Sequence, residues 1–449
     1  MRKLTIIGSG LAGSLLALFM AKRGYDIELF ESRPDPRLAK SDKGRSINLA
    51  LSCRGITGLA AMDLMSEIEK IMVPMRARAI HLKNGKIEYQ PFGRKKGEHI
   101  NAILRSELNR LLLDTAEKSP SIHMHFNKKL IDIDVHKKTL IFECEDDNLF
   151  STSYQILIGA DGAASKVREA LVKEQLIAAS RQFLPHGYKE LSITKQHNEN
   201  FKEEHLHLWP RGLFMLLGNP NIDNSITGSL FLPNEGENSF AKLTSEAMVH
   251  AFFKDKFRDA YGAMPDLINE FMEHPTGRLS TIKCSPWYFS DHCLLIGDAA
   301  HGLVPFFGQG MNSSFEDCRL LNELLDQYED DWQRVLPVFY QTRKINTDAV
   351  SDMSMDNYHE IQSDIRSPTF NLKKQIEREL MHRYPERYVS KHVLVMFTNT
   401  PYAKAKAYGE VQNVFLDQIC DKVRSIKDIN WNEINFLMKD YDKKLANLN

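Results

Sequence analysis

Three glycine-bearing stretches, far apart in the chain, carry residues whose types and spacing suit one kind of chemistry. GSGLAG, residues 8–13, sets Gly8, Gly10 and Gly13 at GxGxxG spacing. In such a stretch the first glycine permits a tight turn and the second lets a pyrophosphate approach the backbone. The third lets a helix pack closely on a strand. Leu11 and Ala12 then open a helix whose free N–H groups and positive dipole end favour a phosphate. Glu31 ends the next strand-like run, where an acid can bind ribose hydroxyls. A carboxylate there repels a 2′-phosphate, so this site suits NAD or FAD rather than NADPH.

The second stretch is GADG, residues 159–162, with Asp161 in its turn; the third is GDAAHGLVPFFGQGMNSSFEDC, residues 297–318. Asp298, at a strand end, can accept a hydrogen bond from a ribityl hydroxyl. The helix after Gly308, Gln309, Gly310, Met311 and Asn312 can aim N–H groups at the pyrimidine edge of a flavin, which becomes anionic on reduction. Three nucleotide-type turns on three strand ends favour FAD over a chance surface turn. Other residues of the third stretch have plainer readings. Phe306 and Phe307 could be core aromatics. His301 is expected to be packed or hydrogen-bonded, and Cys318 to be buried. Glu316 and Asp317 are adjacent on a helix and should point about 100° apart rather than act together.

The elements that must position these groups follow from the apolar pattern. KLTII, a helical run ending at Gly24, and DIELFE make one strand–helix–strand unit. LRSELNRLLLDTAE (104–117) has helical spacing, and HMHFNKKLIDIDVHKKTLIFECEDDNLFSTS alternates like a meander of strands. YQILIGADG and CLLIGDAA read as buried strands meeting turns. HLHLWP, LFMLLG and ITGSLFLP suggest an antiparallel sheet. From about residue 313 amphipathic helices dominate, including IERELMHRYPERYV and VFLDQICDKVRSIKDI. The expected fold is α/β. A Rossmann-type FAD-binding domain, discontinuous over 1–75, 100–178 and 275–360, is interrupted by a mixed or antiparallel β-sheet substrate domain at 76–99 and 179–274. A helical region at 361–449 follows.

Bulk composition excludes several classes. Lys+Arg (58) and Asp+Glu (59) cancel, so no basic surface for nucleic acid is expected. Six cysteines show no CxxC pair and no zinc spacing, which implies reduced thiols, no metal and a cytoplasmic protein. Glycines break the apolar N-terminal run, against a signal peptide. VLVMF (393–397) is too short to span a bilayer, and the polar end KDYDKKLANLN argues against a membrane anchor.

GSGLAGS, the ADG turn followed by SKVR (165–168), and GDAAH…PFFGQGMN together resemble the single-component FAD-dependent aromatic hydroxylases. PMRARAIH (74–81), GRSINLALSCRG (44–55) and the third stretch are most similar to the branch of that family acting on L-kynurenine. The resemblance runs from residue 1 to about 410. It implies that Gly8, Gly10, Gly13 and Glu31 hold the ADP half of FAD, with Arg105 of ILRSEL touching the cofactor. It places Asp298 on the ribityl chain and Gly310, Met311 and Asn312 at the isoalloxazine. Pro305, Phe306, Gly308 and Gln309 belong to the loop between flavin and substrate. Arg78 would grip the substrate carboxylate, with Asn357 and Tyr402 at the amino-acid end. The chain departs from the family at Phe92, where a tyrosine is usual.

The activity so implied is hydroxylation of L-kynurenine to 3-hydroxy-L-kynurenine with NADPH and O₂ through a flavin C4a-hydroperoxide. It would serve tryptophan degradation or quinolinate and NAD biosynthesis. There is no second GxGxxG, so NADPH is expected as a transient co-substrate. Three alternatives remain. The substrate could be another aromatic carboxylic acid. The protein could be a reductase or halogenase of the same fold, although the four dispersed tryptophans form no Trp-rich motif. It could be a non-catalytic nucleotide-binding scaffold.

Overall fold

Leu4–Ile7, Leu157–Gly159 and Cys293–Leu295 are buried at every residue, as strands covered on both faces must be. In the computed structural model, which describes residues 2–38, 48–95, 97–194, 201–363 and 368–448 (backbone alone at 361–363 and 368), they lie side by side. They belong to a six-stranded sheet ordered Tyr288–Phe289, Cys293–Leu295, Ile156–Gly159, Lys3–Ile7, Asp26–Phe30, Ile122–His125. All pairs are parallel except the one made by Tyr288–Phe289. Parallel strands end at the same edge, so the three glycine-bearing corners leave the sheet together. Ile7 pairs with Gly159 and Gly159 with Leu295, which sets those exits in register.

The helix Leu11–Lys22 is buried along most of its length because it is sandwiched between the sheet and two other helices, Arg105–Glu117 and Gly310–Gln327. It ends at Arg23, with Gly24 in the left-handed region (φ 86°), where glycine carries no Cβ penalty. Ile122–His125 departs from the expected meander. It joins the parallel sheet beside Asp26–Phe30, because the helix Arg105–Glu117 before it is a crossover that returns the chain parallel. The meander proper is Lys128–Asp134, Thr139–Cys144 and Leu149–Ser153.

A second sheet of seven strands runs Gly277–Ser285, Ala178–Ile193, Ile226–Pro233, Met215–Pro220, His205–Pro210, Ala77–His81, Ile87–Pro91. It is antiparallel except where Ala77–His81 pairs with His205–Pro210. Its strand Gly277–Ser285 comes from the stretch assigned above to the FAD-binding part. Side chains alternate between its two faces. Trp209 and Leu216 pack under the helices Glu246–Lys256 and Leu267–Glu273, with Phe253 and Phe271. Leu208, Met215 and Phe231 face the other way, onto Val304, Phe306 and Tyr358. The second sheet thus forms one wall above the loop of the third stretch.

Trp332–Ser363, Lys391–Phe397 and Tyr402–Cys420 pack against that loop, and Pro368–Arg383 and Trp431–Ala446 back them in a separate core on Phe415 and Ile419. The run IERELMHRYPERYV is helical only to Arg383, just ahead of Pro385. VFLDQICDKVRSIKDI splits after Cys420. Among the described residues no helix is long and apolar enough to cross a membrane, and no cluster of three His, Cys, Asp or Glu could hold a metal. All six cysteines are free thiols; burial pushes Cys284 up to about 11 and Cys293 up to about 12.

The close approach at Gly13 makes the fold testable. A Cβ there would stand 1.9 Å from Gly8 O. Gly13→Ala should therefore cost at least about 3 kcal/mol, read as a lowered urea midpoint with unchanged slope.

Candidate active site

The three corners touch. Ala160 N donates to Ile7 O at 2.9 Å and Ile296 N to Gly159 O at 3.0 Å. A Cβ on Gly8 would meet Ala160 O at 2.6 Å, and one on Gly297 would meet Ala12 Cβ at 3.3 Å. Residues 44–47 of the stretch GRSINLALSCRG lie outside the described residues.

The donor set at these corners fits FAD. The helices Leu11–Lys22 and Gly310–Gln327 both begin without a side-chain cap and without an acid in the first turn, which leaves their first N–H groups for a ligand. Nothing stands within 4 Å of where a Cβ would project from Gly10 or Gly310, so both starts open onto space. Leu11 and Met311, one residue further on, turn inward and are buried. Asp298 is exposed beside that space. Asp161 spends Oδ2 on the N–H groups of Lys166 and Val167, at 2.6 and 3.2 Å, and so caps the helix Lys166–Lys173. Its Oδ1 is sealed with no partner among the described residues, and burial pushes its pKa up. Glu31 is buried at the sheet edge. Its Oε2 accepts from Ser9 N at 3.1 Å and its Oε1 from Arg33 Nε at 2.8 Å. Burial opposes its charge, but Arg33 and these N–H groups hold it below the usual carboxylate range. Arg105 stands exposed at the first turn of Arg105–Glu117.

The loop after Asp298 is fixed by side chains from distant elements. Asn312, fully buried, accepts from Ser52 N at 2.9 Å and donates to Ala50 O and Gly308 O at 2.8 and 2.9 Å. Gly308 adopts φ 61°, the left-handed conformation that ends the turn Pro305–Phe307. Gln309 is buried and accepts from the Tyr402 hydroxyl at 2.7 Å. Tyr402 is itself fully buried, so it supports the loop from behind rather than facing open space. Asn357 donates to Phe306 O at 3.3 Å.

Beneath the loop lies a buried charge cluster. Arg343 donates to Asp317 Oδ1 at 2.6 Å, to Glu316 Oε2 at 2.5 Å and to Ser313. His301 Nε2 meets Asp317 Oδ2 at 2.6 Å, and Gly297 N donates to the same oxygen at 3.1 Å. Arg54 pairs with Glu316 at 3.2 Å, lies 3.9 Å from the Tyr402 ring centroid, and donates to Val395 O and Thr400 O. The expectation that Glu316 and Asp317 act separately is corrected here. One guanidinium is wide enough to bridge two carboxylates that leave a helix at different angles. His301 and Cys318 are buried as expected.

Arg78 lies on the strand Ala77–His81. Phe92 stands beside it, 5.0 Å from guanidinium carbon to ring centroid. Among the described residues the Arg78 guanidinium has no hydrogen bond or ion pair. Burial drags its pKa down to about 10, and the charge of Glu360 offsets this only in part. Its side chain is partly covered. Phe307 is buried in the apolar wall with Phe92, Met353 and Met396. Phe306 packs on Phe231 and Tyr358, at 5.2 and 4.9 Å between centroids. The Tyr358 hydroxyl meets His186 Nδ1 at 2.7 Å.

Sequence reasoning missed Arg54, Arg343, Glu360 and His392. Glu360 could have been found: it lies three residues past Asn357 in DNYHE, on the same helix face. The others carry no spacing signal.

The fold and the site together define the class of FAD-dependent aromatic hydroxylases: a family model described as FAD binding domain matches residues 2–334. A kynurenine 3-monooxygenase of Legionella pneumophila (strain Corby) is 65% identical over 448 residues, covering 100% of both chains. One from Myxococcus xanthus (strain DK1622) is 40% identical over 428 residues, 95% of this chain and 92% of that one. The chain belongs to the kynurenine 3-monooxygenase family. Its fold is also similar to that of 2-methyl-3-hydroxypyridine-5-carboxylic acid oxygenase, with TM-score 0.66 and 18% identity over 82% of this chain and 94% of that one.

Two outcomes follow. Gly10→Ala should leave stability without FAD within about 1 kcal/mol of the parent, because its Cβ meets nothing. It should weaken FAD retention through gel filtration about tenfold or more, because the methyl takes the space at the helix start. Asp317→Asn should cost about 3–5 kcal/mol at neutral pH, read by denaturant titration. Burial alone would raise the Asp317 pKa, but His301 and Arg343 outweigh it and hold the group low. Its contribution is therefore full above the unfolded-state carboxylate pKa. The difference between parent and variant should shrink as pH falls through the depressed native value.

Proposed function

We infer that this chain hydroxylates L-kynurenine at ring carbon 3, with NADPH and O₂ consumed and NADP⁺ and water released. The observation that carries the reading is Arg78: a guanidinium desolvated enough to lower its pKa, without a carboxylate ion pair among the described residues, beside Phe92 of the apolar cluster that also holds Phe307 of the loop. An amino-acid carboxylate supplies the missing charge and binds two N–H groups at once. Bound FAD supplies the relay of two electrons from NADPH to O₂ and the delivery of one oxygen atom to the ring.

The chain's own residues bind, orient and exclude water. Gly8, Gly10, Leu11, Ala12 and Gly13 offer backbone to the pyrophosphate; Glu31 takes the ribose and Arg105 the phosphate side. Asp298 takes the ribityl chain, Asp161 shapes the neighbouring corner by capping Lys166–Lys173, and Gly310, Met311 and Asn312 present helix-start N–H groups to the flavin's pyrimidine edge. Pro305, Phe306, Gly308 and Gln309 form the floor between cofactor and substrate, held in place by Asn357 and Tyr402. Phe307, Phe92 and Met396 keep water from the reacting ring, whose amino group already activates the neighbouring carbon. No acid–base residue is required. The partition into an FAD-binding domain (1–75, 100–178, 275–360), a substrate sheet (76–99, 179–274) and a helical cover (361–449) belongs to this reading. So does a cytoplasmic setting, in keeping with six unpaired thiols.

Aerobic NADPH oxidation should rise on adding L-kynurenine, and mass spectrometry should show a product heavier by one oxygen atom. Stimulation by an anthranilate or hydroxybenzoate instead would shift the reading to another aromatic acid. Arg78→Met should raise KM for kynurenine about 100-fold and change kcat much less, because the carboxylate contact is made in ground and transition states alike.

A further inference from the structure

His392 lies in the short helix Lys391–Phe397, which ends under the flavin loop. Its ring stacks with Phe92 at 6.1 Å between centroids and 20° between planes, and lies 6.2 Å from Phe307. One turn on, Met396 Sδ accepts from Gln309 Nε2 at 3.2 Å, so this face of the helix looks onto the loop. Among the described residues neither ring nitrogen of His392 has a hydrogen-bond partner. Nε2 is sealed from solvent; Nδ1 is not.

A neutral imidazole carries one N–H and one lone pair. Burial, reinforced by the nearby charge of Arg78, keeps His392 neutral, with a pKa well below the ordinary value. An orphaned buried N–H is rarer than an under-used acceptor. The favoured tautomer therefore leaves the lone pair on sealed Nε2 and the proton on Nδ1. His392, like Arg78, is only partly covered, and the two flank Phe92 and lie close enough for the charge of Arg78 to act on the imidazole. Phe92, the third member of the group, has the right place and no polar atom to offer.

We propose that His392 is a further substrate-contacting residue, whose ring N–H donates to the carboxylate that Arg78 binds and so supplies the hydrogen bond that Phe92 cannot make. The proposal rests on the kynurenine reading. It explains how the phenylalanine is tolerated: the donor has moved from one ring of the stacked pair to the other.

The test is a binding titration on oxidised holoenzyme, following the flavin absorbance change. His392→Phe keeps a flat ring and removes both nitrogens. It should raise the Kd for L-kynurenine about tenfold, as loss of one hydrogen bond to a charged group does. It should leave the Kd of kynuramine, which lacks the carboxylate, within twofold of the parent. Adding Phe92→Tyr to His392→Phe should recover most of the lost affinity. Unchanged kynurenine affinity in His392→Phe would overturn the proposal. So would equal losses for the two ligands, which mark a packing role. His392→Leu is read the same way if the phenylalanine variant does not retain FAD. A parent holoenzyme that responds to kynuramine or to an anthranilate but not to L-kynurenine would instead overturn the substrate reading itself.

Discussion

Two carboxylates and two guanidiniums, all removed from water, decide where the flavin loop stands. Asp317 and Glu316 leave the helix Gly310–Gln327, Arg343 comes from Trp332–Ser363, and Arg54 from the helix Cys53–Ala60. The formal charges sum to zero, and His301 and Gly297 N complete the bonds to Asp317. Desolvating such a cluster is expensive, and replacing it by apolar side chains would often be no less stable. What it provides is a unique arrangement, since each charge has one set of partners that satisfies it. Through Arg54, which holds Val395 O, Thr400 O and the Tyr402 ring, the constraint reaches the C-terminal helices. Tyr402 then returns it to Gln309 in the loop. The loop from Pro305 to Gln309 is thus clamped from beneath and from behind.

Arg343 and Arg78 show how the same residue type serves two purposes. Burial works against the charge of both. At Arg343 two carboxylates outweigh it and push the pKa above its ordinary value; at Arg78 burial wins. A buried arginine with its partners built in is structural. One whose charge is only partly answered, beside the ring of Phe92, is a candidate for a functional anion site. The contrast rests on packing, because both side chains look alike in the sequence.

The two sheets divide the work. Parallel strands bring three corners to one edge, which gives a long dinucleotide a continuous run of backbone N–H groups and carboxylates. The seven-stranded sheet alternates its side chains, so one face builds a core under its own helices while the other roofs the loop with Phe231 and Met215. Ala77–His81 lies near the edge of that sheet, and this carries Arg78 from a stretch between two parts of the FAD-binding fold to the ring of Phe92.

The glycine spacing at 8–13, the buried runs LTII, ILIG and CLL, and the aspartates at 161 and 298 determined the cofactor-binding half. These are local demands: a tight turn, a backbone approach and a strand covered on both faces are each written in consecutive residues. The meander was legible for the same reason, apart from Ile122–His125, whose place depends on a crossover helix rather than on its own pattern. Only the tertiary structure decided that Glu316 and Asp317 share Arg343, that Tyr402 spends its hydroxyl on Gln309, and that His392 stands against Phe92 beside Arg78. Each of those contacts joins residues far apart in the chain, and side-chain reach, burial and charge balance fix them; no sequence period records any of these.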